Sequence, residues 1–186
     1  MNDTQQIKVL GISGSLRRAS FNTAALREAV RLAPAGMQID IADIADIPLY
    51  NEDVYAQGFP PAVERLRQQI RAADALLIVT PEYNYSMPGV LKNAIDWVSR
   101  PPDQPFAGKP AAVMGASPGR LGTARAQYHL RQSMVFLDLL LLNKPEVMIG
   151  NAGQLFDDTG ALTDEATRGH IRRLLEALRD WTLRLR

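Results

Sequence analysis

The spacing of hydrophobic residues divides the chain into short strands that alternate with amphipathic helices. Compact apolar segments predict strands at 7–12, 37–41, 75–79, 110–115 and 144–149. Apolar residues at helical spacing predict helices at about 21–33, from Pro60 and Pro61 to Ile70, from Pro88 to Val98, at about 123–136 and at about 163–185. Strands and helices in strict alternation favour a parallel sheet with helices on both faces and right-handed crossovers.

Two of these strands indicate the order of the sheet. Residues 75–79 are apolar throughout, which is typical of a strand that is buried on both faces. Residues 37–41 alternate apolar and polar side chains, which is typical of an edge strand. The order 2-1-3-4-5 satisfies both patterns and is the flavodoxin-like, doubly wound α/β arrangement with three layers. Because we find no internal repeat, low-complexity tract or linker, we expect residues 1–186 to form a single domain.

The composition narrows the chemistry that the chain can perform by itself. It has 186 residues, of which 46% are hydrophobic and 22% are charged, with no cysteine and two histidines. Without cysteine there is no thiol nucleophile, iron–sulfur cluster or cysteine-based zinc site. With two histidines we expect no metal site either. If the protein performs redox chemistry, an external cofactor must carry the electrons.

The charge and the apolar runs narrow the choice of partners. The net charge of +1 lacks the positive excess of an extended nucleic-acid surface, although a small anion needs only a local pocket. The longest apolar run, 134–142, is interrupted by Asp138 and is far shorter than the roughly 20 residues that cross a bilayer. Residues 1–6 lack the pattern of a secretory signal. We therefore expect a cytoplasmic protein that binds neither nucleic acid nor membrane.

In open parallel sheets ligands bind beyond the carboxyl ends of the strands at the topological switch point, here between strands 1 and 3. The first loop at this edge combines the short polar side chains of Ser15, Ser20 and Asn22 with Arg17 and Arg18. The N-terminus of the following helix adds free N–H groups, so the loop suits a phosphate monoester. The alternative is a polar turn in which Ser20 or Asn22 caps the helix. The chain has neither a Walker A string nor a G-x-G-x-x-G string in this loop.

Two further loops fall at the same predicted edge. Residues 81–85 place two tyrosines and an amide beside the central strand, where a planar heteroaromatic ring could lie. Residues 117–120 include Gly119, which would allow a ring to approach closely. Each segment could equally be an ordinary turn. The three loops together favour a flat cofactor that carries a phosphate.

Other conspicuous residues have simpler interpretations. Trp97 and Trp181 lie on apolar helix faces and are expected in the core. Asp138 is expected at a helix end or a subunit contact, and His129 on a solvated or interface face of its helix. Glu146 could pair with an arginine.

Several motifs, in order, resemble those of the NAD(P)H-dependent FMN reductase family. Residues 14–22 (GSLRRASFN) resemble its G-S-L-R-x-x-S-x-N loop, and residues 81–84 resemble its P-E-Y-N turn. Residues 91–97 (LKNAIDW) resemble a helix of the family, and residues 117–122 fall where it carries a third flavin loop. The similarity extends from about residue 7 to 183 and is closest to bacterial chromate, quinone or azo reductases.

The resemblance implies bound FMN, NADPH or NADH as electron donor, and a homodimer or homotetramer. It implies that Ser15, Arg17, Ser20 and Asn22 hold the FMN phosphate, with Leu16 and Phe21 in the same loop. The ring would contact Pro81, Glu82, Tyr83, Asn84 and Tyr85 on one edge and Ser117, Pro118, Gly119 and Arg120 on the other. Pro118 is a departure from the family pattern. Proline has no backbone N–H, so a hydrogen bond that the family makes from this position is not expected here.

These expectations combine into a hypothesis of function. NAD(P)H would give hydride to FMN, which would then reduce a small acceptor such as a quinone, an azo compound, a flavin or chromate. No catalytic acid or base is required from the chain, because the flavin carries the chemistry. One alternative is a flavodoxin-type electron carrier, which is usually acidic, so a net charge of +1 argues against it. Another is a binding module without catalysis.

The last expectation concerns assembly. Four polar residues have no evident role in the site of a single chain, and we expect them to meet another subunit near the flavin. They are Arg125, Tyr128, Arg131 and Glu146.

Overall fold

The computed structural model describes residues 6–186; residues 1–5, on which the expectation about a secretory signal largely rests, lie outside the described residues. The strands are β1 (Ile7–Ser13), β2 (Met37–Ala42), β3 (Ala75–Val79), β4 (Pro110–Ala116), β5 (Leu140–Leu141) and β6 (Val147–Ile149). The helices are α1 (Phe21–Arg31), α2 (Glu52–Tyr55), α3 (Pro61–Ala72), α4 (Gly89–Val98), α5 (Ala124–Phe136) and α6 (Glu165–Leu185), with a 3₁₀ turn at Ala152–Gln154. None of the helices described within residues 6–186 is long and apolar enough to cross a membrane.

The strands form one parallel sheet of order β2-β1-β3-β4-β5, and β6 also pairs with β4. Strand β1 lies between β2 and β3, with Val9 opposite Ile39 on one side and opposite Ala75 on the other. The predicted order and the flavodoxin-like architecture are therefore confirmed. The switch point falls between β1 and β3, because α1, which follows β1, and α4, which follows β3, cover opposite faces of the sheet.

The fifth position of the sheet differs from the prediction. Two short strands share it, because β5 pairs with the start of β4 and β6 pairs with its end. The predicted strand at 144–149 is wrong for residues 144–146, which lie outside both strands. Pro145 has no N–H to donate to a ladder, so pairing resumes only at Val147. The short helix α2, in the loop after β2, was also not predicted.

The core lies in two layers, one on each face of the sheet. Helices α1 and α6 cover one face, and α3, α4 and α5 cover the other. Strand β3 is apolar throughout because both of its faces are buried. Leu77 and Val79 face the first layer, and Leu76 and Ile78 face the second. Burial of each such side chain contributes about 1.5–3 kcal/mol.

The isolated residues singled out in the sequence have clear positions. Trp97 is fully buried, and its indole N–H donates to the carbonyl of Pro48 (2.8 Å). Trp181 is only half-buried, and its indole N–H donates to Leu140 O (2.8 Å). Asp138 lies just beyond α5 with a φ of 54°, which confirms the expected helix end.

The carboxyl end of β4 packs closely against the loop that follows β3 and the residue that precedes α5. A Cβ on Gly115 would overlap both Thr80 O, which follows β3, and Thr123 Oγ1, which precedes α5. Thr80 also donates its N–H to Met114 O (3.0 Å). Only glycine at position 115 lets the loops after β3 and β4 approach this closely.

We therefore expect Gly115→Ala to lower the free energy of unfolding by about 3 kcal/mol or more, because the backbone of Thr80 cannot move without disturbing β3. Urea denaturation measures the change. Gly89→Ala is a matched control, since a Cβ there meets nothing within 4 Å and alanine favours the first turn of α4. Equal stability of Gly115→Ala and the parent protein would contradict this account of the packing.

Candidate functional site

A cleft opens at the carboxyl edge of the sheet, where the three predicted loops meet. We call them loop 1 (14–22), loop 2 (80–86) and loop 3 (116–122). The cleft measures about 350 Å³ and is lined by Ser15, Arg17, residues 20–22, residues 81–83 and residues 116–118. The structure thus brings together most of the predicted site residues. Leu16, Asn84, Tyr85, Gly119 and Arg120 are exposed in the same loops, outside this lining.

Loop 1 has a polar lining that leads into the N-terminus of α1. Ser20 caps this helix, because its Oγ accepts the N–H of Thr23 (3.3 Å). Ser15 Oγ accepts the N–H of Arg17 (3.4 Å), and both serines are buried. Each hydroxyl still has its own hydrogen to donate. The cap and an anion site are therefore compatible at Ser20, and the first N–H groups of α1 have no helical partner.

Asn22 joins loop 1 to the end of β4. Its Oδ1 accepts the N–H of Ala116 (2.8 Å), and its Nδ2 donates to Ala116 O (2.9 Å). The side chain is buried, and both of its polar atoms are bonded to the same residue. Asn22 therefore sets the width of the cleft between loops 1 and 3, a role that the sequence did not suggest.

Loop 2 is a tight turn whose tip is exposed. Tyr83 and Ser86 exchange backbone hydrogen bonds (3.0 Å each), and the two residues between them, Asn84 and Tyr85, have φ values of 51° and 65°. Positive φ at both central positions defines a type I′ turn. Tyr83 lines the cleft with half of its surface exposed. The side chains of Asn84 and Tyr85 lie at the rim.

Glu82 lines the cleft, but its carboxylate is bonded to α5. Its carboxylate accepts the N–H groups of Arg125 (3.0 Å) and Ala126 (3.1 Å), at the N-terminus of α5. Its other oxygen pairs with the Arg125 guanidinium, which lies over the Tyr85 ring at 3.7 Å. Thr123 makes no side-chain cap to α5, so Glu82 supplies one from loop 2.

Loop 3 offers fewer backbone donors than its position in the cleft suggests. Ser117 donates its N–H to Ile149 O (2.9 Å), Pro118 has none, and Gly119 donates to Ser117 Oγ (3.1 Å). Gly122 closes the loop with a φ of 60°, packed against Met148. Pro118 therefore cannot donate a backbone hydrogen bond to a ligand, and the N–H groups of Ser117 and Gly119 are already bonded within the chain.

The residues expected at a subunit contact have partners within this chain. Arg125 pairs with Glu82, and Arg131 donates to Leu142 O (3.0 Å), so both side chains are bonded within their own chain. That these residues meet another subunit stays a prediction. Glu146 does not pair with an arginine in residues 6–186. Its carboxylate instead raises the pKa of Tyr128, because the neutral phenol hydrogen-bonds to it.

His129 also lies closer to the site than the sequence indicated. Its Nδ1 is 2.7 Å from Ser86 Oγ, which ties the second turn of α5 to the base of loop 2. Neither this contact nor the one between Glu82 and α5 could be found from spacing, because more than forty residues separate the partners.

The donors present fit FMN at the phosphate end. Two buried hydroxyls, one arginine and a helix N-terminus surround one end of the cleft, which is the donor set that a phosphate monoester needs. The other end has apolar and aromatic walls, Pro81, Tyr83, Ala116 and Pro118, against which a flat ring can lie. The fold is flavodoxin-like, and the lining of the cleft at its switch point fits a flat cofactor that carries a phosphate.

Comparison with known proteins identifies the family. A family model described as NADPH-dependent FMN reductase matches residues 7–154. The chain is 69% identical to an NAD(P)H-dependent FMN reductase of Pseudomonas aeruginosa, across 98% of this chain and 99% of that protein. It is 49% identical to a quinone reductase of Escherichia coli strain K12, with the same coverage. A solved flavoenzyme, an NAD(P)H:(acceptor) oxidoreductase from Paracoccus denitrificans, matches with a TM-score of 0.87 at 37% identity, across 96% of this chain and 98% of that one.

The chain belongs to the NADPH-dependent FMN reductase family. It is an oxidoreductase, and FMN and NAD(P)H are its cofactors, as the resemblance implied. The relatives named above are reductases, and none of them is described as an electron carrier.

The tether through Asn22 leads to a prediction for stability. Asn22→Ala leaves the N–H and C=O of Ala116 without side-chain partners, and we expect unfolding free energy to fall by about 2–4 kcal/mol. Asn22→Asp keeps an oxygen that can accept the N–H of Ala116, but it places a carboxylate oxygen against the carbonyl oxygen of Ala116. We therefore expect this variant to be destabilised as well. Urea denaturation checks both variants. Asn143→Ala, at an exposed position, is the control, and an Asn22→Ala protein as stable as this control would disprove the tether.

Proposed function

We propose that this protein uses FMN, bound in the cleft between loops 1, 2 and 3, to reduce quinone-type acceptors at the expense of NAD(P)H. The observation that carries the proposal is the convergence of a phosphate-binding donor set and an apolar, aromatic wall in one cleft at the switch point. Relatives described as quinone reductases, one of them 49% identical, support the choice of acceptor. Because its donor NAD(P)H is an intracellular nucleotide, we also propose a cytoplasmic location.

Loop 1 and the N-terminus of α1 would hold the phosphate. Ser15 and Ser20 would donate their hydroxyl hydrogens and Arg17 would supply positive charge. The first residues of α1, Phe21 and Asn22, also line the cleft, so their backbone N–H groups would be available to the phosphate. The Arg17 guanidinium lies over the Phe21 ring at 5.5 Å, which orients it without pairing it to a carboxylate. Asn22 acts here through its bonds to Ala116, so its role is to position loop 1.

Loops 2 and 3 would hold the ring. Pro81 and Tyr83 contact it from one edge and Ser117 and Pro118 from the other, while Glu82 keeps loop 2 against α5. Asn84, Tyr85, Gly119 and Arg120 stand at the rim, where acceptors of different shapes can enter. When bound, FMN accepts hydride from the nicotinamide and passes two electrons to the acceptor. The chain supplies position and electrostatics, and it need not supply an acid or base.

The visible spectrum of the purified protein tests the proposal directly. We expect a flavin spectrum that bleaches on anaerobic addition of NAD(P)H and returns on addition of a benzoquinone in equal amount. A protein that refuses FMN would contradict the cofactor site. Reduction by NAD(P)H without reoxidation by the quinone would contradict the acceptor alone.

Arg17 provides a quantitative test of the phosphate end. Removing a charge-assisted contact to phosphate in Arg17→Ala should weaken FMN binding about 10- to 100-fold, and Arg17→Lys should weaken it less. Fluorescence titration of the apoprotein with FMN measures the dissociation constant. Arg172→Ala, an exposed position on α6, serves as the matched control. Unchanged FMN affinity in Arg17→Ala would place the phosphate elsewhere.

We also propose that the protein is a homo-oligomer with the outer face of α5 at an interface. Val135 and Phe136 are 79% and 89% exposed there, although both are large apolar side chains. Arg125 and Arg131 on the same helix are bonded within their own chain, so little free charge opposes the approach of a second copy.

In sedimentation velocity we expect Phe136→Glu to shift the protein toward monomer, because a carboxylate cannot be buried unpaired in an apolar contact. Leu183→Glu is the control, since Leu183 is exposed on α6, in the layer on the opposite face of the sheet. A parent protein that is monomeric at micromolar concentration would refute the proposal.

A further inference from the structure

A second hollow adjoins the cleft on the side of β2. It measures about 290 Å³ and lies between the carboxyl ends of β1 and β2, where Ser15 and Arg17 form a wall common to both cavities. Loop 1 contributes Leu16 and Arg18 to it, and α1 contributes Arg27. None of these last three residues lines the cleft that we assign to FMN, so the hollow has a composition of its own.

The hollow is strongly positive. Three guanidinium groups, those of Arg17, Arg18 and Arg27, face one carboxylate, that of Asp43. Asp43 Oδ1 already accepts the N–H of Ala45 (2.9 Å) in a local turn. The salt bridges within residues 6–186 involve other arginines, so these three cations have no carboxylate partner there.

The hollow also has an apolar wall, which a free inorganic anion would not need. Leu16 is 49% exposed and Ile41, at the end of β2, is 41% exposed, and both border this space. Two exposed aliphatic side chains beside clustered arginines suit a flat base that carries a phosphate on its sugar. An adenosine phosphate has that combination of groups.

The position is right for the distal half of a dinucleotide donor. The ring of FMN would lie over the ends of β3 and β4, and the hollow lies at the ends of β1 and β2. Neighbouring strands are about 4.8 Å apart, so β2 and β4, three spacings apart, are separated by about 14 Å. A nicotinamide stacked at the ring must extend its adenosine across the surface by a distance of this order, and the pyrophosphate would pass Arg17.

We propose that this hollow binds the adenosine 2′-phosphate of NADPH, and that Arg18 and Arg27 make the protein prefer NADPH to NADH. The proposal rests on the proposed function, since it concerns the donor of that reaction. The same arginines border another hollow, toward residues 153–160, but Asp157 and Asp158 stand on its far side and would oppose a phosphate. The hollow at β2 has a single carboxylate and is therefore the better site.

Equilibrium binding tests the site without requiring turnover. The FMN-loaded protein is titrated in a calorimeter with adenosine 2′,5′-bisphosphate and with 5′-AMP, which differ only in the 2′-phosphate. We expect the bisphosphate to bind at least about ten-fold more tightly. Arg18→Ala and Arg27→Ala should each reduce that ratio, and Arg27→Glu should abolish it. Equal affinity of the parent protein for both nucleotides would overturn the proposal.

Two further variants locate the site. Ile41 borders the hollow at β2 and not the hollow at 153–160. Ile41→Asp places a carboxylate in the first hollow only, so we expect it also to weaken the binding of adenosine 2′,5′-bisphosphate. An unchanged affinity in that variant would overturn the placement. Arg172→Ala, on α6, should leave both affinities as they are.

Steady-state kinetics then connect the site to the reaction. The ratio of kcat/KM for NADPH to that for NADH should fall about ten-fold in Arg27→Ala and further in Arg27→Glu. A ratio that does not change in either variant would refute the role in donor choice. If the protein oxidises neither nucleotide, the proposed function fails, whereas the calorimetric comparison still decides whether the 2′-phosphate site exists.

Discussion

The pair of hydrogen bonds between Asn22 and the backbone of Ala116 holds together the two halves of the site. Asn22 belongs to the first turn of α1 and Ala116 ends β4, so 94 residues separate two groups that bond at 2.8 and 2.9 Å. In a doubly wound sheet the loops on either side of the switch point diverge, because their helices cover opposite faces. A buried amide that satisfies both backbone groups of one residue keeps loop 1 and loop 3 at a constant separation. The cleft depends on that separation.

Loop 2 is likewise held in place by a side chain that bonds to a distant element, in this case the carboxylate of Glu82 and the N-terminus of α5. Glu82 caps α5 and pairs with Arg125, which in turn covers the ring of Tyr85. Tyrosine at a φ of 65° is an unfavourable backbone conformation for a bulky side chain, and contacts such as these are needed to maintain it. The turn at the rim is therefore rigid at its base and held at its tip, as a binding surface for a flat ring requires.

How much of this could be predicted from the sequence depends on the range of the interactions. The strands, the order of the sheet and the three loops follow from local periodicity and turn chemistry, and they were predicted well. The split strand at 140–149 was missed because the effect of Pro145 depends on its pairing partner in β4. The orientation of Glu82 was missed because it depends on a helix whose own cap residue, Thr123, leaves the N-terminus open. Motif resemblance assigned residues to the site, but only tertiary contacts distinguish those that line it from those that position it.

The net charge of +1 is a poor guide to the field at the site. Several other cations are paired with a nearby carboxylate, as in the pairs Arg65–Asp46 and Arg168–Glu165. Arg17, Arg18 and Arg27 are not, and they stand together beside loop 1. At physiological ionic strength the Debye length is about 8 Å, so an anion at loop 1 is influenced by these three charges far more than by the rest of the surface. A chain with balanced total charge can therefore attract an anionic cofactor and an anionic donor to the same edge, and an acidic electron carrier would lack that local excess.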